Sequence, residues 1–389
     1  MKKALTILTI IMLVSIAVSA VAEVVVTGDM RIRPRMDLRS TTTYDSPNSN
    51  YQSFMTEDRT DGYYYYRARV NAKANIGDGW FSHIQLGSNG VAYWTGKFGA
   101  GSTPSGSSLP GAGRGTVDFM LLYFGRKMDK GGYMGGLIPI NALANPLYDL
   151  HYYSNIMVDV PYFIFNNNGA HGFTGYINLS NGGKLNATLL VDDDNTQIET
   201  TLDSTASGVP NPITKTDNEM KDTYTFIFDA PLKLSDFTVQ PVVMFTAITA
   251  EGMPKPMTYG ANIATPKMGK WQFFGTFGAS TQSEADTTTG TVEYSAWYAR
   301  LKAVGMIGKG KMTAWVDMAS KKFDANDYEN KFTYFWIDYS IPVYKSDVGS
   351  VSVKPTWRHA MQTRESDAGF EYYDFSRDKI ELTIDFKFK

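Results

Sequence analysis

Lys379-Ile-Glu-Leu-Thr-Ile-Asp-Phe-Lys-Phe-Lys389 alternates without a break between polar and apolar residues. Ile380, Leu382, Ile384, Phe386 and Phe388 share one face, and Lys379, Glu381, Thr383, Asp385, Lys387 and Lys389 share the other. A period of two is a strand with one greasy and one wetted face. The pattern recurs at the other end of the chain. Met30, Ile32, Pro34, Met36 and Leu38 alternate with Arg31, Arg33, Arg35, Asp37 and Arg39; Tyr66, Ala68, Val70, Ala72, Ala74 and Ile76 alternate with Arg67, Arg69, Asn71, Lys73 and Asn75. Val353, Pro355 and Trp357 likewise alternate with Lys354, Thr356 and Arg358.

Met1-Lys-Lys3, the apolar stretch Ala4 to Val18 and the small-x-small Ala20-Val-Ala22 read as a secretory signal over residues 1–22, cut near Ala22. Residues 23–389 then form one domain. No later run is apolar enough for a membrane helix, so an exported chain of strands about ten residues long implies a transmembrane antiparallel β-barrel of the bacterial outer membrane, with outer-membrane lipid around it. A soluble β-sandwich is the competing architecture; it would show shorter strands buried against a second layer. Aromatics make up 14% of the chain, which suits strands and interfacial girdles.

Seven short turns punctuate the sequence: Gly77 to Gly79, Met128 to Gly131, Asn181 to Gly183, Pro231 to Asp236, Pro266 to Gly269, Gly308 to Gly310, and Pro342 to Gly349. Eight long polar segments lie between them, among them Ser40 to Gly62, Ser320 to Asp327 and Gln362 to Ser376. This asymmetry predicts about sixteen strands, with fourteen or eighteen also compatible, short periplasmic turns and long extracellular loops. The most unusual loop, 141–169, carries Asn145-Pro146, Asp149, His151 and Asp159 around a moderately apolar middle. It is either a loop folded inward to narrow the lumen or a further strand at the surface.

Charges facing lipid near mid-membrane cost about 2–4 kcal/mol each, so the arginine faces must point inward. Closure sets the last strand beside the first and brings four strands together. Arg31, Arg33, Arg35, Arg39, Arg67, Arg69, Lys73, Lys354, Arg358 and Lys379 then share one basic wall, diluted by Asp37, Glu381 and Asp385. Asp149 or Asp159 of the long loop would supply a facing negative pole. Such a lumen would favour anions or acidic solutes among the small hydrophilic molecules it admits. A single arginine on such a face is more often a structurally paired, solvated charge; the clustering is what argues for permeation.

Other chemistries find little support. The chain has 37 basic and 39 acidic residues, and losing Lys2 and Lys3 with the signal leaves it slightly acidic, unsuited to nucleic acid. It has no cysteine, hence no disulfide, thiol chemistry or lipid-acceptor residue. Asp192-Asp-Asp-Asn195 lacks the glycine and distal glutamate of a calcium loop, and His83, His151, His171 and His359 lack metal-ligand spacing. No metal or cofactor is expected. Without a nucleophile elbow or phosphate loop, neither is catalysis.

Gly28-Asp-Met-Arg-Ile-Arg-Pro-Arg35, Tyr65-Tyr-Arg-Ala-Arg-Val70 and the terminal strand with penultimate Phe388 resemble the porins of Gram-negative bacteria, including the alginate-export type. The resemblance is diffuse over the mature chain and specific only in these three segments. It implies an outer-membrane diffusion channel, homotrimer formation, and a role for Phe386 and Phe388 as the signal read by the barrel-assembly machinery. Two departures stand out. The chain ends on Lys389 rather than an aromatic, and Gly135-Gly-Leu-Ile-Pro139 lies where many porins carry an eyelet arginine. The resemblance therefore transfers no solute. A barrel selective for a sugar or acidic oligosaccharide, and a structural or adhesive barrel with a closed lumen, are the alternatives.

Overall fold

The computed structural model describes residues 23–44, 53–89, 96–99, 116–140, 145–152, 168–192, 198–203, 211–216, 223–248, 255–282, 293–323, 328–366 and 371–389. The expected export signal, residues 1–22, lies outside these. Sixteen antiparallel strands close into one cylinder. They begin with β1 (Glu23–Tyr44), β2 (Ser53–Gly77), β3 (Trp80–Asn89), β4 (Thr116–Met128), β5 (Gly131–Ile140), β6 (Asn168–Asn178), β7 (Lys184–Asp192) and β8 (Thr223–Asp229). The circuit continues through β9 (Phe237–Ile248), β10 (Met257–Ala264), β11 (Trp271–Gln282), β12 (Tyr294–Ile307), β13 (Gly310–Phe323), β14 (Tyr328–Lys345), β15 (Gly349–Ser366) and β16 (Glu371–Phe388).

Closure is made by β1 against β16, with Met30 opposite Phe386 and Ile32 opposite Ile384. No sheet edge is left in the membrane, which is the condition a spanning sheet must meet. Gly28 sits at this seam for a steric reason: a Cβ there would stand 2.2 Å from the Phe388 ring and 2.6 Å from the Arg69 carbonyl oxygen.

The exposed residues identify the lipid face. Met30, Ile32, Val70, Phe173, Phe245, Phe277, Leu301 and Ile380 all stand at least 37% exposed on the outer side, far too much apolar surface for a water-soluble protein. A sandwich is excluded as well, because the sixteen strands form one closed sheet, extended locally by Gly96–Gly99 and Leu232–Leu234. The one other ladder among the described residues is the two-stranded pairing of Ile198–Asp203 with Asn211–Thr216.

Several strands run further than the alternation predicts. β1 reaches Tyr44 and β2 starts at Ser53, so much of the expected loop Ser40 to Gly62 is paired backbone. The same holds for Ser320 to Phe323 of β13, Gln362 to Ser366 of β15 and Glu371 to Ser376 of β16. About ten residues suffice to cross the hydrocarbon. Beyond it the outer face need no longer be apolar, so the period-two signal fades, while the inner-face residues Lys321, Phe323, Gln362 and Phe375 stay buried and the ladder continues.

Candidate functional site

The inner faces of β15, β16, β1 and β2 form one cationic wall. Arg33, Arg35, Arg67, Arg69, Arg358 and Lys379 are at most 8% exposed there, lying along the wall rather than projecting from it. Arg31, Arg39 and Lys354 share the same inner faces and are partly exposed, while Lys73 is exposed near the turn that ends β2.

The register sets like charges directly across from one another. Arg31 faces Arg67, and Arg39 faces Arg59 on one side and Arg377 on the other; Arg358 faces Lys379. Directly opposed like charges destabilise a sheet, so the wall needs counter-charges, and it has few. Asp29 accepts hydrogen bonds from Arg67 and Arg69, both at 2.9 Å. Asp37 accepts two from Arg377 at 2.8 and 2.6 Å and lies 3.3 Å from Arg39. Glu381, whose side chain has no exposure, pairs with Arg358 at 2.5 Å, with Arg33 at 3.8 Å, and closely with Arg35. Asp385 takes Arg31 at 3.0 Å. Each carboxylate stands directly across from a cation, Asp29 from Arg69 and Lys387, Asp37 from Lys379, Glu381 from Arg35 and Asp385 from Arg31. Asp29, Asp37 and Glu381 also reach diagonally to Arg67, Arg377 and Arg358 and so tie neighbouring strands together. Such buried, charge-assisted bonds hold the side chains in one geometry.

Asp29 and Arg377 belong to this wall although the sequence reading did not single them out. The signal was available: Asp29 is two residues before Arg31 and Arg377 two before Lys379, hence on the same faces. Of the proposed acidic pole, Asp149 lies in a short helix and Asp159 falls outside the described residues.

The wall continues sideways through aromatic rings. Arg358 stacks 3.9 Å over Trp336, Trp336 stacks on Trp315 with centroids 4.4 Å apart, and Arg300 lies 5.1 Å from Trp315. Asp317 fastens the far end by accepting from Arg300 at 2.6 and 2.7 Å. Cation–π contacts of this kind hold guanidinium groups flat against the wall.

The facing wall is of another kind. Helix α1 (Pro146–Tyr152) starts on Asn145, whose Oδ1 accepts the Leu147 amide at 3.3 Å, with proline at the first helical position. It packs on inner-face residues drawn from strands between β5 and β14. Leu147 joins Ile138, Leu190, Ile227, Val242 and Met244; Leu150 joins Tyr294, Ala296, Tyr298 and Phe332. Gly278 admits the helix, since a Cβ there would meet Leu147 at 2.2 Å. His151 bridges Thr258 and Thr246, each 2.9 Å from a ring nitrogen. Thr258 donates to Ser280 at 2.8 Å, so Nδ1 of His151 carries the proton and Nε2 accepts from Thr246. Burial pushes this imidazole down to about 3.

A closed sixteen-strand barrel with a charged inner wall and a short helix packed inside it defines the class of porin-like outer-membrane barrels. Solved structures agree on the fold. The anion-selective porin of Comamonas acidovorans superposes with a TM-score of 0.53 at 10% identity, over 94% of this chain and 100% of that one. The channel DcaP of Acinetobacter baumannii gives 0.53 at 13% identity, over 95% and 98%. The trimer form of Vibrio cholerae OmpT gives 0.54 at 8% identity, over 95% and 100%. No family model and no curated protein sequence matches the chain.

Proposed function

We propose that the protein is an outer-membrane porin whose water-filled lumen passes small hydrophilic solutes by diffusion and favours anions or acidic ones. The observation that carries this reading is the like-charge register. Arg31–Arg67, Arg39–Arg59, Arg39–Arg377 and Arg358–Lys379 stand in direct opposition on adjacent strands, an arrangement that stability alone disfavours. Opposite charges do face one another on the same strands, Asp29 with Arg69, Arg31 with Asp385, Arg35 with Glu381 and Asp37 with Lys379, but the cations of the wall outnumber these carboxylates. Cations in excess of their carboxylates along a wetted wall attract counter-ions and bias permeation.

On this reading helix α1 narrows the lumen across from the cations; most of the segment 141–169 expected to do so lies outside the described residues. Residues 1–22 direct export, Phe386 and Phe388 serve assembly, and three copies associate in the outer membrane. The similarity of fold to a trimeric barrel bears on the association of three copies, and that to an anion-selective porin on the channel reading.

The test is planar-bilayer recording in a salt gradient. Substituting Arg31, Arg33 and Arg67 together with glutamine is expected to shift the reversal potential toward cation preference. An unchanged reversal potential would remove the anion-favouring assignment, and a folded barrel that conducts nothing would remove the channel itself.

A further inference from the structure

The cationic wall is organised by individual carboxylates, and the cluster around Asp29 has a property that a uniform field does not explain. Arg69 directs Nε and Nη2 to Asp29 Oδ2, each at 2.9 Å, and Arg67 directs Nη2 to Oδ1 at 2.9 Å. Arg31 completes the group, held by Asp385 at 3.0 Å and lying 3.7 Å from Asp29. Three guanidinium groups therefore share two carboxylates. Arg69 is 7% exposed, and its Nη1 is buried with no hydrogen-bond acceptor among the described residues. A buried donor on a charged group is costly to leave unmatched. Both oxygens of Asp29 are already engaged.

We propose that Arg31, Arg67 and Arg69, aligned by Asp29, form a discrete oxyanion-binding site on the inner wall, where a permeating anion is held before it moves on. The ligand class follows from the donors. A guanidinium presents its N–H groups as a planar fork that matches two oxygens of a carboxylate, phosphate or sulfate and matches a spherical halide poorly. An oxyanion would give Arg69 Nη1 its missing acceptor and neutralise the cluster's excess charge. Asp29 acts as a positioning residue, fixing where two of the forks point. The proposal rests on the channel reading for its role in transport, but binding itself needs no conduction.

The experiment uses the folded full-length barrel in detergent, its folding checked by heat-modifiable gel migration. Inorganic phosphate is followed by phosphorus NMR line broadening at constant ionic strength, with sulfate, acetate and chloride as competitors. Saturable broadening is expected, displaced by sulfate and acetate at far lower concentration than by chloride. Arg69→Gln should weaken it about tenfold, the loss of one charge-assisted contact. Arg69→Lys, which keeps the charge but not the fork, should restore it only in part. If Arg69→Gln does not fold, Arg67→Gln carries the same expectation.

Displacement by chloride as effective as by acetate, or equal broadening in native protein and Arg69→Gln, would overturn the site. In bilayers, native conductance should level off with rising phosphate while Arg69→Gln stays closer to linear. Linear conductance in both overturns the site and leaves the porin standing. Selective broadening from a barrel that does not conduct supports the site and removes the porin.

Discussion

The two facing walls of the barrel solve the same problem by opposite means. On β15, β16, β1 and β2 the inner face is crowded with cations, and four carboxylates, Asp29, Asp37, Glu381 and Asp385, hold them in place. Across the lumen the inner-face residues that meet helix α1 are apolar or hydroxylic, and the helix covers them through Leu147, Leu150 and His151. Removing one group from the first wall exposes uncompensated charge. Removing one from the second leaves a void or loosens the helix. The first wall should therefore fail electrostatically and the second sterically.

The largest effect is expected at Glu381, which balances Arg33, Arg35 and Arg358 with no exposure of its own. Glu381→Ala leaves three guanidinium groups crowded together and should cost about 3–5 kcal/mol, the range for breaking a buried ion pair. The readout is the temperature at which the folded form disappears from an unboiled gel; a midpoint unmoved from the native one would contradict the bracing role.

Next comes the helix. Leu147→Ala should weaken its docking by about 2–5 kcal/mol, and Gly278→Val should displace it by placing atoms where Leu147 now lies. Both variants are expected to raise single-channel conductance with little change in ion preference, because the cationic wall is untouched. A shift in selectivity without a rise in conductance would mean that the walls are not separable.

The smallest effect is a pH dependence. His151 is 2% exposed, and burial lowers it from an ordinary value of 6.5 to about 3. A lowered value means that the neutral form is the one the docked helix accommodates. Docking is thus fully stable above about pH 6.5 and loses stability progressively as pH falls toward about 3. Conductance noise from helix release should grow between about pH 7 and about pH 4.5 in the native channel and much less in His151→Gln. Identical profiles would assign any acid response to the carboxylates of the other wall.

Much of the barrel was legible in the sequence because alternation is a local signal that survives without knowledge of neighbours. Arg31 to Arg39 and Lys379 to Lys389 reveal their inner faces by parity alone. The seven short turns are legible for a similar reason, since Gly, Asp, Asn and Pro at a reversal reflect local backbone demands. The extended ends of β1, β2, β13, β15 and β16 were not, because beyond the lipid the outer face need not be apolar and the period is lost. Arg377 and Asp29 stand one step beyond the clearest alternation, and the same parity places them on the inner face. The pairing of Arg358 with Trp336 depends on cross-strand register, and no spacing within either strand predicts it.

By itself, the order of residues determined a transmembrane cylinder with arginines turned inward, since a strand's two faces are set by counting in twos and lipid tolerates charge on neither side of mid-membrane. Only the tertiary structure decided which cations oppose which, which carboxylate stands across from each, and where a seven-residue helix comes to rest. Those outcomes depend on register and closure. Register and closure bring together residues more than three hundred positions apart, such as Asp37 and Arg377, whose distances no local pattern encodes.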